Sequence, residues 1–186
     1  MIFWEQGYEG TSIADLEKSL KINKFSLYNT FGNKHQLYLQ ALDLYVEQRF
    51  KPLLGILHYQ SAQGIPTLLQ FFEALKLGLT VQPEIIGCFV VSAGAERSAT
   101  DPDVRKRVQW VYGQLEDGFY ACLESAQQQQ QLAPGVSLQN LARFLVVQSQ
   151  GMMTVGRNQQ DLRTVISSHE FIKSLLQELI NPSAPE

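Results

Sequence analysis

Residues 11–34 read Thr11-Ser12-Ile13-Ala14-Asp15-Leu16-Glu17-Lys18-Ser19-Leu20-Lys21-Ile22-Asn23-Lys24-Phe25-Ser26-Leu27-Tyr28-Asn29-Thr30-Phe31-Gly32-Asn33-Lys34. Ser12 and Asp15 have the spacing of a capping box, in which side chain and backbone at a helix start satisfy each other's hydrogen bonds. The helix they open, Ile13 to Leu20, has barely two turns. Ile22-Asn23 breaks it, and Asn23 is a fair cap for a second short helix from Lys24 to Phe31. Gly32 ends that helix and Asn33 caps the next. Leu16, Leu20, Ile22, Leu27, Phe31 and Leu37 are expected to form a small core. Two short helices joined by about three residues, the second polar and basic, fit a helix-turn-helix arrangement.

The rest of the chain also reads as helix, because apolar spacings of three and four recur and period-two alternation is absent. A longer helix from Lys34 is expected to kink or end at Pro52, which removes a hydrogen bond and crowds the preceding turn. Ser61–Gly64 reads as a loop, and Pro66 as a first-turn residue of the next helix. A break is expected at Val81-Gln82-Pro83-Glu84, then a nearly uncharged helix from about Gly87-Cys88. Asp101-Pro102 is a strong start signal for an apolar stripe running from Val104 to Ala126. Gln127–Gln131 reads as a solvated helix end. Ser137 and Asp161 are expected to cap the last two helices, with Pro182 and Pro185 closing the chain.

Composition narrows the function. The 186 residues are 45% hydrophobic and 18% charged, too apolar for disorder, and they hold no apolar run of membrane-spanning length. No export signal is recognisable, so a soluble, cytoplasmic protein is expected, with Cys88 and Cys122 as reduced thiols. The net charge of −3 argues on its face against nucleic acid. Its distribution argues otherwise. Lys18 to Leu42 holds four lysines, His35 and no acid, whereas residues 52–186 hold nine basic and twelve acidic side chains. Enzyme signatures are lacking: His35, His58 and His169 fall on separate segments, with no metal-binding histidine spacing and no glycine-rich phosphate loop. No metal or cofactor is expected.

Phe3-Trp4-Glu5-Gln6-Gly7-Tyr8-Glu9-Gly10-Thr11-Ser12-Ile13-Ala14-Asp15-Leu16, followed by Asn23-Lys24-Phe25-Ser26-Leu27-Tyr28-Asn29-Thr30-Phe31-Gly32-Asn33-Lys34-His35-Gln36-Leu37, resembles the DNA-binding domain of TetR-family transcriptional regulators. The likeness covers residues 1 to about 45 without an insertion. It implies an all-α protein with a helix-turn-helix domain (1–46) and a helical effector-binding and dimerisation domain (47–186). The implied function is that of a ligand-responsive repressor binding palindromic double-stranded operator DNA as a homodimer. A helical ligand-binding or thiol-sensing homodimer with impaired DNA binding is the alternative.

Physical chemistry assigns roles within that frame. Lys24 can point at phosphate or at a guanine edge, aided by the free N–H groups of its helix start. Phe25, Ser26 and Asn29 are the specificity candidates, for a thymine methyl, either base edge and adenine respectively. Tyr28, Thr11, Ser12 and Lys34 are candidates for phosphate contacts, which position without specifying. The bland readings are a core aromatic for Tyr28 and a solvated charge for Lys34. Two departures from the family stand out. Lys21 occupies a turn position usually given to glycine, so either the backbone avoids positive φ there or the chain accepts roughly 1 kcal/mol of strain. The first helix, with Met1 falling in its middle, is expected to be only about two turns long.

For the body, an apolar pocket between helices is expected to bind a small-molecule effector, with Phe71, Phe72, Trp110, Tyr112, Phe119, Met152 and Met153 as lining candidates. Each also reads as plain core. Cys88, if it lies in the first turn of a helix, gains thiolate character from the helix dipole and becomes a candidate sensor. The alternative is a small buried hydrophobe. The last two helices carry too many apolar positions for one narrow stripe each, with Ser149, Gly151 and Gly156 among them. An isologous four-helix homodimer contact is expected to bury that excess.

Overall fold

The computed structural model describes residues 2–59, 61–81, 87–157 and 162–180. Met1, the break at Pro83, the cap at Asp161 and the closing Pro182 and Pro185 lie outside them. Local signals at the start of the chain act as read. The Ser12 hydroxyl accepts from the Asp15 N–H at 3.1 Å, and the Asp15 carboxylate accepts from the Ser12 N–H at 2.9 Å. That pair opens α2 (Ile13–Leu20), behind a short α1 (Ile2–Gln6). Asn23 caps α3 (Lys24–Phe31) through the Ser26 N–H, and Asn33 caps α4 (Lys34–Tyr45) through the Gln36 N–H. Lys21 takes the left-handed backbone, φ 56° and ψ 36°, so the chain accepts the strain. Leu16, Leu27 and Leu37 are buried, Ile22 and Phe31 half-buried. Leu20, expected in this core, is 41% exposed.

Pro52 neither ends nor breaks the helical run. Val46–Phe50 forms a π-turn in which the Lys51 N–H reaches back to the Val46 carbonyl. The proline then falls at the second residue of α5 (Lys51–Tyr59). A widened turn just upstream accommodates the missing donor and the ring. A 3₁₀ turn (Ser61–Gln63) leads into α6 (Ile65–Thr80), followed by α7 (Phe89–Arg97), α8 (Pro102–Gln128), α9 (Leu138–Gly156) and α10 (Leu162–Glu178). Every regular element among the described residues is a helix, and the one bridge, Leu132 to Ile180, is isolated.

The 27-residue α8 is the spine, started by the Asp101 carboxylate accepting from the Asp103 and Val104 N–H groups. Its buried stripe runs from Val104 to Ala126 and packs against α5, α6, α7 and α9. The glutamine run beyond it is not simply solvated. Gln131 accepts from the Ile65 N–H and donates to the Gln63 carbonyl, completing the start of α6 that Gly64 cannot cap with a side chain. Buried apolar residues from Phe3 to Leu176 form a continuous cluster, so the first helices are packed onto the body.

Candidate nucleic-acid interface

Lys24, Phe25, Tyr28 and Asn29 are all solvent-exposed on α3, while Leu27 on the opposite side is fully buried. Phe25 is 73% exposed and Tyr28 36%. An aromatic that open to water on a helix whose other face anchors a core is poorly explained by packing and well placed for a groove floor. The Lys24 ammonium lies 5.8 Å from the centroid of the Tyr28 ring, which keeps the two together at the start of the exposed face. Ser26 is half-buried, at the margin of that face.

Other expected contacts are placed differently. Thr11 is fully buried and its hydroxyl donates to the Gly7 carbonyl at 2.7 Å, closing the end of α1, so it presents nothing to a phosphate. Ser12 is exposed, but its hydroxyl is engaged with Asp15 at 2.6 Å. That interaction and the Ser12 N–H together hold the Asp15 carboxyl below its ordinary range. Two of the N–H groups at the start of α3 are also engaged. Lys24 N–H donates to the Glu17 carboxylate at 2.5 Å and Ser26 N–H to Asn23 at 2.8 Å. The Lys24 side chain therefore carries most of the positive charge that this helix end presents. Lys34 holds its ammonium 4.2 Å from the centroid of the Tyr8 ring.

The same Tyr8 ring joins the head to the body, a junction that sequence alone did not reveal. Arg97 of α7 stacks its guanidinium 4.1 Å from the Tyr8 centroid. It also binds the Glu9 carboxylate at 2.5 Å and Asp101 at 3.2 Å. The Glu96 carboxylate accepts the backbone N–H groups of both Tyr8 and Glu9 at 2.9 Å. His35 of α4 meets Asp101 at 2.8 Å. Burial works to raise the Asp101 pKa, but the Val104 N–H, His35 and Arg97 outweigh it and hold the carboxyl below its ordinary value. Arg107 of α8 grips Asp43 of α4 through two nitrogens, at 2.6 and 2.9 Å. Behind these ion pairs, Phe3, Tyr8, Tyr45 and Phe89 surround Tyr38 or continue its edge-to-face chain. His35, Asp101 and Asp103 bring ligand atoms within 4.8 Å of one another, but the adjacent Arg97 guanidinium opposes a cation there.

The expected pocket residues divide. Phe71, Phe72 and Phe119 are at most 1% exposed and pack ring against ring, with centroids 5.0–5.8 Å apart, as core. Met152 is buried with them, and Tyr112 is half-buried. Trp110 is 45% exposed and lines a charged groove between α4 and α8 with Asp43 and Arg107. Met153 lines a cleft of about 190 Å³ shared with Trp4 and Tyr45, and Phe72 borders another, of about 250 Å³, with Glu73 and His169. Cys88 stands at the start of α7 and is buried, as its reading as a small buried hydrophobe has it and not as a sensing thiolate. Burial pushes its thiol up, outweighing the Tyr45 hydroxyl and the Val91 and Val90 N–H groups. Cys122 is buried too, its thiol pushed up to about 12. On the last two helices, Ser149 and Gly156 face inward, Gly156 against Leu79. Gly151 is exposed.

Comparison with known proteins settles the family. Residues 1–41 match the family described as bacterial regulatory proteins, tetR family, and residues 64–168 match the tetracyclin repressor-like C-terminal domain. The chain belongs to the TetR family. It is 30% identical over 145 residues, 77% of this chain and 74% of the relative, to an uncharacterised HTH-type transcriptional regulator, YezE, of Bacillus subtilis. It is 25% identical over 179 residues, 96% of this chain and 85% of the relative, to the HTH-type transcriptional repressor ComR of Escherichia coli. A solved structure of the TetR-family regulator CifR, a cysteine mutant complexed with 26-bp double-strand operator DNA, superposes with a TM-score of 0.77. The identity there is 24%, covering 91% of this chain and 88% of that one, and the shared property is the TetR fold. No described helix is long and apolar enough to cross a membrane.

Proposed function

We propose that this TetR-family protein is a cytoplasmic, effector-responsive repressor that binds a palindromic operator as a homodimer, with residues 1–46 as the DNA-reading head and 47–186 as the effector-binding and dimerisation body. The observation that carries this is the exposed face of α3, where Lys24, Phe25, Tyr28 and Asn29 stand together on a helix otherwise anchored by Leu27. ComR, named a repressor, and CifR, solved on operator DNA, lend support by likeness. Asn29 and Phe25 read base edges, and Lys24, Tyr28 and Lys34 hold the backbone.

The partner surface is on α9 and α10. Val147, Val155, Ile166 and Phe171 are 38–67% exposed there, more apolar surface than a monomer usually leaves open on one side. Paired by a twofold axis, these helices bury it and set the spacing of the two α3 helices, which must match half-sites about one helical turn apart. An effector acts by favouring a head–body arrangement whose spacing fits the operator poorly. Selection of duplexes from a random pool tests the reading. A palindrome is expected to emerge, bound with steep loss of affinity as salt rises and with a large preference over random duplex. Failure of any sequence to enrich refutes it.

A further inference from the structure

The 190 Å³ cleft is walled on one side by Trp4 of α1 and Tyr45 of α4, and on the other by α6 residues including Leu75 and Gly78 and by Met153 of α9, with Arg49 of the π-turn contributing the sole charge among its lining residues. We propose that this cleft, at the seam of head and body, is the effector site, and that its ligand is a small single-ring aromatic carboxylate. The assignment of an effector rests on the repressor reading above; the chemistry of the ligand rests on the cleft itself.

Size sets the first limit. An apolar cavity of about 150 Å³ holds a benzene ring, so 190 Å³ accommodates one ring with a short substituent and little more. The walls favour an aromatic ring. Trp4 and Tyr45 meet edge to face, with centroids 5.1 Å apart. Met153 adds a sulfur side chain of the kind that packs well on rings. Charge then selects an anion. Arg49 stands solvent-exposed at the cleft, and a guanidinium's planar fork matches a carboxylate better than any neutral group. Gly78 belongs to the same wall. Glycine inside a helix costs about 1 kcal/mol relative to alanine, yet a Cβ built at Gly78 meets nothing within 4 Å. At Gly156, by contrast, the added carbon falls 2.9 Å from Leu79. Close packing therefore explains Gly156 but not Gly78, whose missing side chain leaves the cleft wall open. Because the two walls belong to head and body, an occupant has different contacts in different head positions, the condition for a ligand to shift that equilibrium.

The test uses Trp110→Phe protein, which leaves Trp4 as the only tryptophan of two, titrated with phenylacetate and with benzyl alcohol and benzylamine as neutral and cationic comparators. Phenylacetate is expected to change Trp4 emission saturably and to lower operator affinity. The comparators, and phenylacetate on an added Arg49→Gln change, are expected to bind at least fivefold more weakly. Gly78→Leu fills the space and is expected to abolish the response with an unchanged or raised thermal midpoint. A Trp4 signal that does not saturate by about 10 mM, equal binding of all three probes, or binding that survives Gly78→Leu overturns the ligand assignment. Phenylacetate binding that leaves operator affinity unchanged overturns the effector role. Operator binding measured without ligand separates these failures from failure of the repressor reading, which alone predicts it.

Discussion

Replacing Glu96 by Gln probes the joint between head and body directly. The Glu96 carboxylate accepts the Tyr8 and Glu9 N–H groups, each at 2.9 Å, across 88 and 87 residues of sequence. Hydrogen bonds to a charged acceptor are worth about 1.5–3 kcal/mol each when shielded, and nearer 1 kcal/mol when water competes. Glu96 is exposed, so the lower figure applies. Glutamine offers a single acceptor oxygen, so one N–H keeps its partner and the other faces an amide donor. The expected loss is about 1–2 kcal/mol of local stability, a factor of roughly 5–30 in the opening equilibrium of the α1–α2 turn. Amide hydrogen exchange measures that equilibrium residue by residue. Tyr8 and Glu9 amides are expected to exchange roughly 5–30 times faster in Glu96→Gln, while amides in the middle of α8 keep their wild-type rates. Unchanged exchange at Tyr8 and Glu9 refutes the joint; equal acceleration throughout α8 means Glu96 supports the whole fold instead.

Lys24→Ala is expected to weaken binding on all duplexes and lower the log–log salt slope by about 0.9, whereas Asn29→Ala relaxes preference at one base pair by about 1–3 kcal/mol; fluorescence anisotropy on a panel of single-substituted operators separates the two. Lys21→Gly relieves the left-handed backbone at the end of α2 and is expected to raise stability by about 0.5–1 kcal/mol, a gain of a few degrees in thermal midpoint. Asp101→Asn keeps the α8 cap but removes the charge facing His35 and Arg97. Because the Asp101 pKa is lowered in the fold, its stabilisation is complete above the ordinary carboxylate value near ~4 and fades as pH falls through the depressed one. Melting curves of wild type and Asp101→Asn are therefore expected to differ at pH 7 and to draw together as pH falls below the ordinary carboxylate value; a difference that stays constant through that fall contradicts the assignment.

Local chemistry made the head and much of the body legible in sequence. Caps at Ser12, Asn23, Asn33, Asp101 and Ser137 each depend on residues at most three apart, and the structure forms all of them. The exposed face of α3 followed from the same short-range pattern. What sequence could not supply depended on distance along the chain. Glu96 and Arg97 reach Tyr8 and Glu9 across 87–89 positions, and no periodicity marks such a pair. Thr11 was misread because a threonine hydroxyl at a helix start serves equally for a phosphate or for the Gly7 carbonyl it actually binds. Phe71, Phe72 and Phe119 share the spacing of pocket residues, and only their mutual ring packing shows them to be core. Pro52 was expected to interrupt a helix that a π-turn instead carries through. The two readings of Cys88, helix-start thiolate or small buried hydrophobe, part on burial, which the position in the sequence leaves open and the fold decides for the second.

Operator affinity of the intact protein, measured on its selected duplex and on random duplex over a series of salt concentrations, tests the DNA-reading role of α3 most directly. The expected result is a preference of at least about 10³-fold for the selected palindrome at physiological salt, with a stoichiometry of two chains per duplex and a loss of discrimination in Asn29→Ala. Equal affinity for both duplexes, or a preference that Lys24→Ala and Asn29→Ala leave untouched, contradicts it.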